Sequence, residues 1–263
     1  MARSGLQVID DNQDLLPGVP AQLAAGALRI VAPNASAMTG PRTNSFVLDP
    51  GPDIDSRAAV LQRIAPQLRY VFGTHTHRDH SPPADGRQDE SFVPDLIPER
   101  DQCFDLGGLS LRPIDTPGHA SNHVCYLLEP PGLLFSGDHI LDGVTPVILA
   151  PDGDIAAYLD SLQRLQDYSL GAIAPGHGRV LGQPLEVIDA IVAHRLRREA
   201  RVLAALGMSA GATLEQLLPQ VYSEVRPELM RWARLSLQAH LIKLAREQRA
   251  SLSGELWRLQ EPP

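Results

Sequence analysis

Lysine is almost missing from this chain: of 23 cationic side chains in 263 residues, Lys243 alone is a lysine. That bias reads as genomic composition and points to no activity. Cysteine is nearly as scarce. Cys103 and Cys125 form no zinc-finger or redox spacing and are expected to be reduced, partly buried thiols. No stretch approaches the roughly 20 apolar residues that a membrane span requires. The opening "MARSGLQVIDDNQD" has no apolar core of the kind a signal peptide carries, so a cytoplasmic protein without membrane partners is expected. Repeats and low-complexity segments are lacking too, which excludes a solenoid or a tethered array.

What is present is uneven in charge. Residues 1–182 hold 12 Lys and Arg against 22 Asp and Glu, whereas residues 183–263 hold 11 against 9. An acidic body argues against strong non-specific nucleic-acid binding, because phosphates need cations. The mildly basic tail leaves a local contact open.

The same boundary divides the patterning. In residues 1–182, "ALRIVAPN", "SFVLDPG", "LRYVFGT", "LSLRPIDTPGH" and "LGAIAPGHG" read as short strands ending in turn residues. "HVCYLLEPPGLLFSGDH" reads as a hairpin turning at Pro130-Pro131-Gly132. "DIDSRAAVLQRIAP" and "DIAAYLDSLQRLQDYS" read as helices, the second placing Ile155, Tyr158, Leu159, Leu162 and Leu165 on one face. Strands mixed with helices imply a layered α/β sandwich. From 183 to 263 the order is a long helix from Pro184 to a stop at Gly207, a short helix, another long helix and a small β-wing. That is the order of a winged-helix domain.

Nearly every strand-end turn of the first domain carries a candidate ligand. "GTHTHRDHS" supplies His75, His77, Asp79 and His80; "TPGH" supplies His119; "SGDH" supplies Asp138; "PGHG" supplies His177. Alternation along an extended turn sends His75 and His77 the same way. Imidazoles and carboxylates suit zinc (Zn2+), with iron or manganese as alternatives. Five His and two Asp suffice for two divalent metal ions, with Asp138 placed between them. Such a pair can share a hydroxide and polarise a scissile bond, so Asp79 and Asp138 are the carboxylates assigned to catalysis as well as ligation. His123 is a candidate substrate contact, with a supporting or packing role as the alternative. His139, beside Asp138, is expected to point away from it and support the site. Thr74 and Ser81 are expected to fix the first turn, and Asp115 to be a surface carboxylate. His194 and His240 are expected only to pack or face solvent.

"THTHRDH", "TPGH", "SGDH" and "PGHG", in this order, resemble the metallo-β-lactamase superfamily. "NASAMTGPRTNSF", "TPGHASNH", "PDGDIAAYLDSLQRL" and "HRLRREARVL", with the winged-helix tail, resemble its beta-lactamase-like branch of endoribonucleases and polyketide thioesterases. The resemblance covers nearly the whole chain and implies a four-layered αββα sandwich. It also implies that His75, His77 and His119 hold one metal, that Asp79, His80 and His177 hold the other, and that Asp138 bridges them. One departure is that only 38 residues separate His80 from His119, and "SPPADGRQDESFVPDLIPERDQCF" within them shows neither the amphipathic helix nor the strand that relatives usually place there.

Three functions fit these expectations. The first is a dinuclear hydrolase using a metal-bridging hydroxide on single-stranded RNA, favoured by Arg195, Arg197, Arg198 and Arg201 on the long helix. The same arginines could equally form a solvated face paired with Glu199 and its neighbours. The second is a thioesterase or small-ester hydrolase, which fits the acidic body better. The third is a DNA-binding regulator. It ranks last because the helix in "RPELMRWARLSLQAHLIKLAREQRA" is too apolar to read a groove, and should pack, roof the site or form a homodimer.

Overall fold

The structure is a computed structural model that describes residues 17, 21–24, 27–32, 43–48, 70–77, 93–99, 102–106 and 108–260. The expected helix "DIDSRAAVLQRIAP" lies outside those residues. Two sheets carry the first part of the chain. Strands β1 (Ala21–Ala24), β2 (Ala27–Val31) and β3 (Asn44–Leu48) form an antiparallel sheet in that order. Strands β4 (Phe104–Asp105), β5 (Ser110–Asp115), β6 (Val124–Glu129), β7 (Leu133–Gly137) and β8 (Ala172–Pro175) form a five-stranded sheet, also in chain order. Only β7 and β8 run parallel. Every residue of both is buried, as expected of strands covered on two faces. The β6–β7 hairpin turns at Pro130-Pro131-Gly132, with the Gly132 amide donating to the Leu128 carbonyl at 2.9 Å. Leu23 and Ala27 of the first sheet share one core with Leu111, Leu128, Leu133 and Phe135 of the second.

The expected strand "LRYVFGT" differs. Within it, residues 70–74 form no ladder. β6 already pairs with β5 and β7, so this segment is held by rings and single bonds instead. Phe72 lies 4.9 Å from Phe104 and 5.2 Å from Tyr126 between ring centroids, and the Val124 amide donates to the Thr74 carbonyl at 2.7 Å.

The described residues group into two compact units. One draws on the chain through Thr116 together with Asn122–Pro146 and Gln166–Leu185; the other takes Pro117–Ser121, Val147–Leu165 and the chain from Glu186. In the second unit, helix α1 (Ile155–Leu165) buries Ile155, Tyr158, Leu162 and Leu165 of the expected face, while Leu159 at its margin is only half-buried. Asp154 precedes α1, its Oδ1 accepting from the Ala156 and Ala157 amides, so that donors left unpaired by the helix start are satisfied.

Helices α2 (Pro184–Gly207), α3 (Leu214–Val221) and α4 (Met230–Arg246) precede the hairpin of β9 (Ala250–Ser253) and β10 (Leu256–Leu259). Thr213 and Gln216 cap α3 reciprocally, each side chain accepting from the other's amide. Gly254 takes the positive φ, 60°, that a two-residue hairpin loop demands. Val202, Leu206, Leu217, Leu237, Leu241 and Trp257 meet in one core. Lys243 of α4 is an ion-pair partner of Glu199 at 2.6 Å and of Glu247 at 2.7 Å. Helix, helix, helix and wing occur in the order expected.

Candidate metal centre

The first ligand turn directly follows the aromatic-backed segment. His75 is buried and its ring centroid lies 4.6 Å from that of His77, nearly perpendicular to it. Thr74 Oγ1 sits 3.1 Å from His75 Nδ1, the local bond expected of that threonine. His119 arrives from the turn that follows β5. Its Nδ1 lies 2.8 Å from the Val147 carbonyl oxygen. A carbonyl can only accept, so Nδ1 carries the proton and Nε2 keeps the lone pair a metal needs. Ligand atoms of His75, His77 and His119 all lie within 4.8 Å of one another. Three converging imidazoles, one with its tautomer set by a backbone partner, suit a cation of the zinc type.

Asp138 follows β7. It stands there because Gly137 lets the chain pass close to the first turn. Gly137 has φ 48°, and a Cβ on it would fall 2.6 Å from Thr74 Oγ1 and 2.8 Å from His123 Nε2. His177 follows β8, with its Nε2 3.2 Å from Asp138 Oδ1. Asp138 and His177 are therefore adjacent. Asp79 and His80, with Ser81, lie outside the described residues.

His123 lies under the first turn. It is 1% exposed, its Nδ1 is 2.9 Å from Thr116 Oγ1, and its ring stacks 5.0 Å from that of His75. His139 is fully buried, 5.5 Å from the His123 ring. Asp115 is exposed at the end of β5, as expected. Cys125 sits inside β6 with its thiol pushed up to about 12 by burial, although Thr116 donates to the sulfur and opposes the shift. A thiol so held is no nucleophile. Cys103 is exposed.

Residues that sequence reasoning passed over hold the ligand turns in place. Ser121 donates from its amide and hydroxyl to Asp152, and Ser161 Oγ donates to the Pro117 carbonyl at 2.8 Å. Gly118 lies so close to α1 that a Cβ would fall 2.4 Å from Tyr158 Cα. Around His177, Asn44 and Asp142 do the corresponding work. Asn44 stands in "RTNSF", a polar residue at the opening of a strand that continues into Phe46, Val47 and Leu48, and that was the available signal.

The arginines of α2 divide. Arg195 is buried, its guanidinium 5.4 Å from the Tyr158 ring centre. Arg198 lies 4.1 Å over the Tyr222 ring and pairs with Glu224, which Arg201 also reaches at 2.9 Å. Three of the four are thus engaged inside their own unit. His194 is half-buried, its pKa lowered by burial and then by Arg195. His240 is fully buried and lowered to about 3 by burial, with Arg195, Lys243 and Arg198 adding to the effect.

Residues 82–177 match the sequence profile of the Metallo-beta-lactamase superfamily, and residues 213–257 that of the Beta-lactamase associated winged helix domain. Beta-lactamase-like protein 2 homolog of Drosophila melanogaster is 29% identical, over 91% of this chain and 94% of its own length. An atrochrysone carboxyl ACP thioesterase of Pseudocercospora fijiensis is 28% identical, over 88% and 78%. Among solved structures, a beta-lactamase domain protein from Burkholderia ambifaria superposes with a TM-score of 0.73 at 18% identity, covering 95% of this chain and 97% of that one. A metallo-beta-lactamase family protein from Thermus thermophilus gives 0.66 at 19% identity, covering 90% and 99%. At such identities the structural likeness speaks for the fold alone.

Proposed function

Since residues 82–177 match the Metallo-beta-lactamase superfamily and residues 213–257 its associated winged helix domain, we propose that this metal-dependent hydrolase works with two divalent cations on a thioester or small ester. The observation that carries the reading is the cluster of His75, His77 and His119, with the His119 proton held on Nδ1 by the Val147 carbonyl. In this reading those three imidazoles hold one zinc ion, Asp79, His80 and His177 hold the second, and Asp138 is shared. When bound, the two cations supply an acidified water and polarise the scissile carbonyl.

The chain's own residues do the rest. Thr74 and His123 fix His75 from two sides. Val147 fixes the His119 ring, and the buried Cys125 leaves no competing thiol nucleophile in that sheet. A thioester or ester is favoured over RNA by two observations. A relative at 28% identity is named as a carrier-protein thioesterase, and of the four arginines that favoured RNA contact, Arg195 is buried over Tyr158 and Arg198 is largely covered beside Tyr222 and Glu224, which leaves Arg197 and Arg201 as the outward cations. A DNA-reading role is disfavoured because α4 buries Ala233, Leu237, Leu241 and Leu244 in its own core.

The test is a parallel turnover panel of acyl thioesters, simple esters, lactones, phosphodiesters and single-stranded RNA, using chelator-stripped and zinc-reloaded protein. Thioester or ester cleavage that vanishes on stripping and returns with zinc is the expected result. Metal-dependent cleavage of RNA with no turnover of any ester would overturn the substrate reading and leave the hydrolase assignment in place.

A further inference from the structure

We propose that Asn44 is a positioning residue for His177, and so sets the affinity of the second cation site; this rests on the two-cation reading above. Asn44 opens β3 with its side chain buried. Its Nδ2 donates to the Pro175 carbonyl at 2.9 Å and to the Gly178 carbonyl at 2.8 Å, one on each side of His177. Both partners are acceptors, so only the amide nitrogen can face them. The Asn44 backbone amide adds a bond to the Gly176 carbonyl at 2.6 Å, and Thr43 bridges His177 itself.

One residue therefore holds three of the four carbonyls of the Pro-Gly-His-Gly turn. That turn contributes little anchorage of its own. Two of its four residues are glycine, and Gly178, at φ 93°, leaves the space where a Cβ would meet Asp142 Cβ at 2.4 Å. Asp142 holds the far end by accepting from the Arg179 amide at 3.0 Å. Between these two clamps, His177 is held with Nε2 3.2 Å from Asp138 Oδ1. Removing the Asn44 amide releases two buried carbonyls that bracket the ligand, while β3 keeps its backbone pairing with β2, from Ala27↔Leu48 to Val31↔Asn44. The loss should fall on the placement of His177 and spare the three-imidazole cluster.

The test uses the full chain as wild type, Asn44→Ala, Asn44→Asp and His177→Ala, each stripped and then titrated with zinc against a chromophoric chelator. Wild type should take up two ions. Both Asn44 variants should weaken one uptake by roughly 10–100-fold, the same one that His177→Ala abolishes, and leave the other unchanged. Asn44→Asp should be no better than Asn44→Ala despite its shape, because a carboxylate cannot donate. Unchanged affinities at both sites would overturn the inference, even if the stripped variants unfold at lower temperature. Equal loss at both sites would overturn it too, by assigning Asn44 a merely structural role. A wild type that takes up a single ion overturns the two-cation reading, and this inference with it, which is a separate and recognisable outcome.

Discussion

His119 donates its Nδ1 proton to the carbonyl of Val147 at 2.8 Å, which directs Nε2 to the cluster it forms with His75 and His77. Because Val147 contributes only backbone, its own substitution leaves the bond intact. The ring cannot be replaced so simply. His119→Ala should lower zinc affinity at the three-imidazole site by more than about 100-fold, beyond what loss of a supporting partner causes. Competition against a chromophoric chelator measures this, and wild-type affinity in the variant would remove His119 from the ligand set.

Gly137 and Gly143 separate backbone strain from close approach. Both have positive φ, 48° and 72°, but a Cβ on Gly143 meets nothing within 4 Å, whereas on Gly137 it meets Thr74 and His123 under 3.0 Å. Gly143→Ala should cost about 1 kcal/mol from the backbone alone. Gly137→Ala should cost about 2–4 kcal/mol and lower zinc uptake as well, because Thr74 and His123 both contact His75. Urea unfolding midpoints compare them; equal costs would show that the turn relaxes freely.

Asp154 and Arg246 form an ion pair in which each partner has a different second role. Burial alone would raise the Asp154 carboxyl, but the Ala157 amide and Arg246 outweigh it and hold the pKa low. Asp154 also caps α1, whereas the Arg246 side chain is 63% exposed. Asp154→Ala should therefore destabilise by about 1 kcal/mol from the cap, with any loss of the pair added. Arg246→Ala should cost at most about 1 kcal/mol, and less in high salt. The opposite ranking in urea titrations at low and high salt would contradict this account.

His240 should make the second unit acid-sensitive. Its folded pKa lies near 3, against an ordinary 6.5, because burial and the cations of Arg195, Lys243 and Arg198 oppose a second proton, with His194 adding to them. The neutral ring favours the folded state fully above pH 6.5. As pH falls from 6.5 towards 3, the unfolded chain gains a proton that the folded chain refuses, so stability declines across that window. His240→Leu should flatten that decline when unfolding midpoints are followed against pH. An unaltered slope would place the acid sensitivity elsewhere.

The candidate metal ligands were legible in sequence because their turns concentrate chemistry in short words at strand ends: "THTH", "TPGH", "SGDH" and "PGHG". Helix faces and the wing were legible too, since Ile155, Tyr158, Leu162 and Leu165 keep a helical spacing and Gly254 marks its turn. The supporting contacts were not, because they join backbone groups to side chains far apart in sequence. Asn44 meets Gly178 across 134 positions, and His119 meets a carbonyl whose side chain is irrelevant. The arginines of α2 show the reverse error. Charge in a sequence suggests an outward face, yet Arg195 is buried over Tyr158, a placement that only the packed helices reveal. Residues 70–74 carry β-forming side chains yet form no ladder, their contact with β6 being the Val124 amide bond to the Thr74 carbonyl and the ring of Tyr126, so composition there outran topology.

The ion pairs of Lys243 bear on how the protein can be handled chemically. Burial alone would lower its pKa, but Glu199 and Glu247 overcome that and raise it, so the nitrogen stays protonated between two carboxylates. It is also the single lysine in the chain. Reagents that attack side-chain amines, such as succinimidyl esters, glutaraldehyde and acetic anhydride, need an exposed, unprotonated nitrogen, and this side chain offers neither property. Immobilisation or fluorescent labelling of the folded protein is better directed to the exposed thiol of Cys103, with Cys125 shielded inside β6.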